Sequence, residues 1–443
     1  MPVVDLPPVL NTINSEFALA TIKDRLPVIL VKTLDDLYKF KEKFGNPQTD
    51  YEDVKSAISE IAKLRYELMT NKPFAKLTPE SNADDIEIYN EAIQNYTKAK
   101  LYWFNAPWLF AECYMYRRLN NIAYNCGLPT LDMFQERKIA SFANSLPTLV
   151  SMCECLDEAI NSSRPKPCLA DLKFFLLCSL WSNEVDLSMQ AGETECDTHV
   201  GANQLKENIA FKTANQMVVS DLDQITSRWP LKGGSRTIIL VTDNTSPEIF
   251  ADLVLCEFLL SSGLADRAIF MPKRLPWFVS DVTPRDFEWL LKNQDMPGSP
   301  ENLDKIRPCL KRISQRFCDG SFTTEVHGFW TLPFGYNEMK DRAPDLYHKL
   351  TTECSVVIFK GDLNYRKLLE DRSWAPDSAK DKVTAFSRCF PPNEGEGSSL
   401  MMTLRVAKAD VAVGLTPERF QEVRARDPQW WVKGLFGFIQ IIT

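Results

Sequence analysis

The sequence predicts an α/β protein, a three-layer α/β/α domain preceded by an N-terminal helical bundle or cap. Arg236 to Glu248 reads as a buried strand, a polar turn and a helix start. A similar succession recurs around Asp281. The first two hundred residues, by contrast, space their apolar positions at helical period. At 443 residues and 44% hydrophobic, the composition is globular and long enough for two domains. The division expected is a helical cap over 1–190, a linker with a short helix over 191–234, and the α/β domain over 235–443.

A net charge of −8 with both signs interspersed leaves no electrostatic footprint for nucleic acid. The N-terminal Met-Pro-Val-Val-Asp-Leu-Pro-Pro lacks the basic start and apolar core of a secretory signal. Membrane spans require about 18 apolar residues. Leu169 to Trp181 comes nearest, and it carries Asp171 and Lys173. A soluble protein is expected, cytoplasmic or shared between cytoplasm and nucleus. The twelve cysteines form no C-x-x-C and mostly sit among apolar residues, as reduced buried thiols do.

In the N-terminal part, Ile22, Leu26, Ile29 and Leu30, and then Val54, Ile58, Ile61, Leu64 and Leu68, keep a 3.6-residue period. Trp103 to Arg118 is rich in aromatics and carries Glu112 one helical turn before Tyr116, with Arg117 beside it. A carboxylate in so apolar a helix requires a partner, which serves either an ion pair or a site. Asn183 and Asp186 lie in a polar stretch that follows another apolar helix. From Met189 to Gly234 the chain turns polar, with a short helix expected around Met217 to Trp229.

Thr237 to Val241 is a β-branched and aliphatic run, as in a strand covered on both faces. Asp243 and Asn244 come after its carboxyl end, where ligands gather in open α/β sheets. Hard oxygens there suit a divalent cation, although the dipeptide alone favours an Asx turn that satisfies the helix start. Ser246 is the expected N-cap, Pro247 the first helical residue, and Gly263 the stop. Arg267 to Met271 is the next strand, and Asp281 ends the apolar run from Leu275 before a helix opened by Thr283-Pro284. Two acidic turns on neighbouring strands can share one cation. Residues 294–325 read as an insertion or lid. Ser355 to Phe359 is a strand, and Lys360-Gly-Asp-Leu-Asn-Tyr-Arg-Lys367 a turn whose glycine and donors suit a phosphate. Leu400 to Val406 and Leu435 to Ile442 close the sheet, with Arg405 and Lys408 near the end of the former.

These segments resemble the metal-dependent damage-control phosphatases, in particular the sugar-phosphate phosphatase branch also described as acidic-residue methyltransferase. The resemblance is carried by Thr21-Ile-Lys-Asp-Arg-Leu-Pro27, Ala106 to Arg118, Ser179 to Ser188, Pro276 to Asp281 and Phe359 to Leu368. It implies that Asp243, Asn244 and Asp281 hold Mn²⁺, Co²⁺, Ni²⁺ or Mg²⁺, and that Asp362, Leu363, Asn364, Tyr365 and Arg366 with Lys408 contact a small phosphorylated sugar. The branch's Arg-Thr-x-Lys appears as Arg405-Val-Ala-Lys408, so both cations stand without the threonine hydroxyl, and Ser182 replaces a glycine.

The reading is thus a Rossmann-like layer hydrolysing sugar phosphomonoesters such as fructose 1-phosphate or fructose 6-phosphate, as the resemblance implies. Asp243 and Asn244 stand at the chemistry, and Glu112, Arg117, Asn183 and Asp186 are secondary candidates. An S-adenosylmethionine-dependent carboxyl methyltransferase is the rival enzyme. The turn Asp243-Asn-Thr-Ser246 lacks the glycine such cofactors usually require. A non-catalytic metal or sugar-phosphate binder is the third reading.

Overall fold

The computed structural model describes residues 6–43, 50–81, 83–162, 168–182, 201–229, 236–292, 296–392 and 399–442. At its centre is a seven-stranded sheet: β1 Met217–Ser220, β2 Thr237–Val241, β3 Arg267–Met271, β4 Phe322–Thr324, β5 Val356–Lys360, β6 Leu400–Val406 and β7 Gly437–Ile441. The spatial order is β1-β7-β6-β5-β2-β3-β4. All neighbours pair parallel except β6 and β7. From β2 the chain first builds outward through β3 and β4, then returns to lay β5 against the other side of β2. The order therefore reverses between β2 and β5, which opens a crevice beyond their carboxyl ends.

The central strands are apolar throughout because both faces are covered. Alternate residues serve different cores. Ile239, Val241, Val357 and Phe359 join a core with the N-terminal helices, including Leu26–Lys43, Asp50–Met69 and Trp108–Asn125. Ile238, Leu240, Val356 and Ile358 join a second core with helices Gln135–Asn161, Leu169–Trp181, Glu248–Ser261 and Pro300–Cys318. The 27-residue helix Gln135–Asn161 has the length to cross a bilayer, but 61% of its most apolar window is buried inside the protein.

The structure differs from the sequence expectations at several elements. Met217–Ser220 is a strand, and the helix comes after it at Leu222–Ser227. Gly201–Gln216 is a further helix in the stretch read as a polar linker. Residues 294–325 are no lid: Pro300–Cys318 is a helix of the second core, and Phe322–Thr324 pairs with β3. Leu275 to Asp281 forms no strand and makes only an isolated bridge, Asn244 to Asp281. Lys360 to Lys367 is not a turn, because a helix, Gly361–Leu368, starts directly at the end of β5. Helix Glu248–Ser261 begins with Pro247 at its N-cap and has no side-chain cap, so Ser246 does not fill that role.

Candidate active site

The two acidic turns are stitched together beyond β2 and β3. Val282 N donates to Asp243 O at 2.8 Å, and Thr245 N donates to Ser280 O at 2.7 Å. Those bonds bring Asp243, Asn244 and Asp281 to one cavity, which Arg25, Glu112, Phe278, Ser280, Asp362, Leu363, Arg366 and Lys408 also line. Phe278 and Val279, just before the second turn, hold φ of 43° and 73°. Such left-handed conformations strain residues with a Cβ and persist where the surroundings enforce them, often at sites. Here Phe278 stacks on Tyr116 with ring centres 4.7 Å apart.

Burial dominates the electrostatics. It raises the Asp243 carboxyl well above the usual carboxylate range, with the charges of Asp281 and Glu248 adding to the effect. Asp281 is raised to about 6, burial outweighing the opposing charge of Lys273. Among the described residues the buried Asp281 Oδ2 accepts no hydrogen bond, and the Lys273 Nζ paired with it lies 3.4 Å away. Two such carboxylates offer the hard oxygens that a divalent cation takes, so their chemistry fits one. Asn244 is oriented differently: Nδ2 donates to Asp243 Oδ2 at 2.8 Å and Glu248 Oε2 at 2.9 Å, while Oδ1 accepts from Ser280 Oγ at 2.5 Å. Its amide must turn before the oxygen joins the carboxylates. Among the described residues no three His, Cys, Asp or Glu side chains cluster as a metal site.

Gly361 seats Asp243. With φ at +82°, a Cβ at this position would lie 1.8 Å from Asp243 Oδ2. The glycine thus admits the protein's own carboxylate, where sequence reasoning reserved the space for phosphate. Helix Gly361–Leu368 then divides the segment read as substrate-binding. Asp362, Leu363 and Arg366 face the cavity. Asn364 and Tyr365 turn inward: Asn364 Nδ2 donates to Lys360 O at 2.7 Å, and Tyr365 Oη donates to Gln440 Oε1 at 2.8 Å. Arg366 is held by Glu112 at 2.6 Å and by Asp371 at 2.8 and 3.0 Å, and it stacks 3.5 Å over Trp108.

Arg405 lies behind the cavity. Fully buried, it donates to Asp362 Oδ1 at 2.7 Å, Val411 O at 2.5 Å and Ala409 O at 3.0 Å. Lys408 N adds a 2.9 Å bond to the same Asp362 oxygen. Among the described residues the Lys408 ammonium makes no hydrogen bond or ion pair, although it lines the cavity. Arg117 stands elsewhere, buried in an ion-pair cluster with Glu80 and Asp85. Asn183 and Asp186 lie outside the described residues.

Sequence reasoning missed the supports and three lining residues, Arg25, Phe278 and Ser280. Glu248, expected to serve the helix start, bridges Asn244 and buried Lys360, whose Nζ also meets Asp252 at 2.8 Å. Lys273 donates to Thr242 O at 3.1 Å beneath the first acidic turn. A buried cation among carboxylates was the available signal, but nothing in the sequence said which acids surround it. Arg25 comes from a π-turn, Thr21–Arg25, closed by Leu26 N donating to Thr21 O. Pro27, which lacks an N–H and crowds the carbonyl four residues back, was the clue to that irregularity.

Comparison with known proteins identifies the family. The model of the damage-control phosphatase ARMT1-like domain matches residues 21–423. The human protein named damage-control phosphatase ARMT1 is 35% identical over 435 residues, covering 96% of each chain. The zebrafish (Danio rerio) protein of that name is 35% identical over 447 residues, covering 96% of this chain and 95% of its own. The Xenopus tropicalis one is 34% identical over 454 residues, covering 97% of both. Matched from Thr21 in the π-turn, through both acidic turns, to beyond Lys408, the chain belongs to the damage-control phosphatase ARMT1-like family.

Proposed function

We propose that this protein is a metal-dependent phosphatase of the cytoplasm that hydrolyses small sugar phosphomonoesters, of the kind represented by fructose 1-phosphate and fructose 6-phosphate, as metabolite damage control. The observation that carries the reading is the meeting of two buried carboxylates, Asp243 and Asp281, both raised by burial, with the Lys408 ammonium, which makes no hydrogen bond or ion pair among the described residues, in one crevice at the sheet's switch point. Its family supports the phosphatase activity and a requirement for metal.

Asp243 and Asp281 would hold the cation, with Asn244 joining once its amide turns. Mn²⁺, Co²⁺, Ni²⁺ and Mg²⁺ all accept such oxygen-rich ligation. When bound, the ion would polarise the phosphoryl group and favour attack by water. Lys408 supplies positive charge to the transferring group as its equatorial oxygens gain charge. Asp362 Oδ2 and Glu112 Oε1 make no hydrogen bond among the described residues and can accept from sugar hydroxyls. Asp362 is steadied for this by Arg405, and Glu112 by Arg366. Arg366 serves the substrate indirectly, since its guanidinium is committed to Glu112 and Asp371.

The test strips the protein with a chelator and measures phosphate release from a panel of sugar phosphates with each divalent metal restored, beside Asp243→Ala. Metal-restored release that the variant abolishes supports the reading. No release above the variant with any metal or ester ends it, and S-adenosylmethionine binding is then measured.

A further inference from the structure

We infer that Arg25, supplied by the N-terminal π-turn, is a substrate-binding residue that grips the anionic ester at the mouth of the active-site cavity. The inference rests on the phosphatase reading of that cavity and adds the residue that sets ground-state affinity.

The cavity is electrostatically lopsided. Asp243, Asp281, Asp362 and Glu112 line it against Arg25, Arg366 and Lys408. Two of the carboxylates are already answered: Glu112 by Arg366, which is itself shared with Asp371, and Asp362 by Arg405 from behind. Asp281 pairs with buried Lys273, whose charge also reaches Asp243 and which lies outside the lining. Lys408 and Arg25 are thus the two lining cations that, among the described residues, make no hydrogen bond or ion pair. A dianionic phosphate ester entering so acidic a space requires both, beyond whatever charge the metal supplies.

The backbone explains how Arg25 reaches this position. Thr21 and Ile22 point into the protein and are buried, while Lys23 stacks 4.8 Å from the Phe104 ring centre. The bond from Leu26 N to Thr21 O spans five residues, so the π-turn inserts one residue before helix Leu26–Lys43 resumes. One inserted residue rotates the rest of the helix by roughly 100° relative to an uninterrupted one. Arg25 therefore stands at the cavity while the helix after it keeps Leu26 and Leu30 in the core. Its charge already reaches inward, acting on Glu112 and Tyr116 to favour the ionised forms. An exposed guanidinium over a cavity of acceptors is a fork free to bind a phosphate or a carboxylate.

The test is steady-state kinetics of Arg25→Ala and Arg25→Lys with fructose 1-phosphate and the activating metal, beside calorimetric binding of inorganic phosphate to the metal-loaded protein. Loss of a charge-assisted contact predicts that Arg25→Ala raises KM roughly 10- to 100-fold and weakens phosphate binding in parallel, with kcat changed less. Arg25→Lys should recover part of both, and thermal stability and metal affinity should match the wild type because Arg25 is exposed. An unchanged KM and phosphate affinity in an active Arg25→Ala protein overturns the inference and leaves the phosphatase reading intact. A wild-type protein that releases phosphate from no ester overturns the reading on which the inference rests. A fall in kcat alone, or in thermal stability, assigns Arg25 a structural role and also overturns it.

Discussion

Replacing Gly361 with alanine tests the seating of Asp243 directly. The residue holds φ at +82°, and the added Cβ would meet Asp243 Oδ2 at 1.8 Å, Cγ at 2.2 Å and Cβ at 2.8 Å. Ordinary contact begins at 3.4 Å, so the carboxylate must move by well over an ångström or the start of helix Gly361–Leu368 must give. The left-handed backbone costs about 1–2 kcal/mol for a residue with a Cβ. Overpacking a buried site adds about 1–3 kcal/mol. A total loss of about 2–5 kcal/mol is expected in urea denaturation of the chelated protein. Misplacing a reacting group by about 1 Å can cost about 100-fold in rate, so phosphatase activity should fall at least that far, with weaker metal binding. Gly263→Ala is the control: its φ is +68°, yet nothing lies within 4 Å of the new Cβ. It should show the backbone cost alone and normal activity. If the two variants match in stability, metal affinity and rate, Asp243 does not depend on Gly361 and the account of the seat is wrong.

Further outcomes are expected elsewhere in the site. The folded apo protein holds the Asp281 proton up to about pH 6, above the ordinary value of 3.8, so this group's contribution to stability is present at low pH and lost as pH rises through about 6. Metal binding must displace that proton. Metal affinity should therefore fall as pH drops through about 6, and the stability gap between metal-loaded and chelated protein should narrow there; a gap constant from about pH 5 to 8 would refute this. Asp252 also titrates near 6, but the comparison with and without metal cancels it. Arg405→Lys keeps the charge and loses the fork to Asp362, Val411 and Ala409, so a loss of about 2–4 kcal/mol with a raised KM is expected in denaturation and kinetics. Lys360→Met leaves Glu248 and Asp252 facing each other without their buried cation, and should cost about 3–5 kcal/mol by the same denaturation. Normal stability in that variant would show the network to be dispensable.

The sequence made the centre of the site legible and its surroundings much less so. Thr237 to Val241 announces itself because a strand covered on both faces has to be apolar at every position, and the first polar residues after it mark the strand end. By contrast, β1 and β4 are four and three residues long, too short for any period to register, and each takes its place from a neighbouring strand. Reading 360–367 as a turn put Asn364 and Tyr365 beside Asp362 and Arg366. As a helix, the segment sends these neighbouring letters to opposite sides. Glu248 shows a different obstacle. An acid at a helix start has an adequate local explanation, which hides its long-range tie to Lys360. Arg25 was obscured because a one-residue irregularity rotates a face that periodicity assumes to be continuous.

Arg25 and Lys408, the two lining cations that make no hydrogen bond or ion pair among the described residues, stand far apart in the sequence. The first segment is bound to late ones throughout this region: Leu10 N donates to Asp371 O at 2.8 Å, Arg372 Nη1 to Pro7 O at 2.8 Å, and Ser15 Oγ to Asp410 Oδ2 at 2.7 Å. A ribosome releases Arg25 long before Lys408. The N-terminal segment must therefore wait for β5 and β6 before it can dock, and no nascent chain short of Lys408 can carry a complete site. Excising either segment should disable the same cavity, which ties its competence to contacts between residues far apart in sequence.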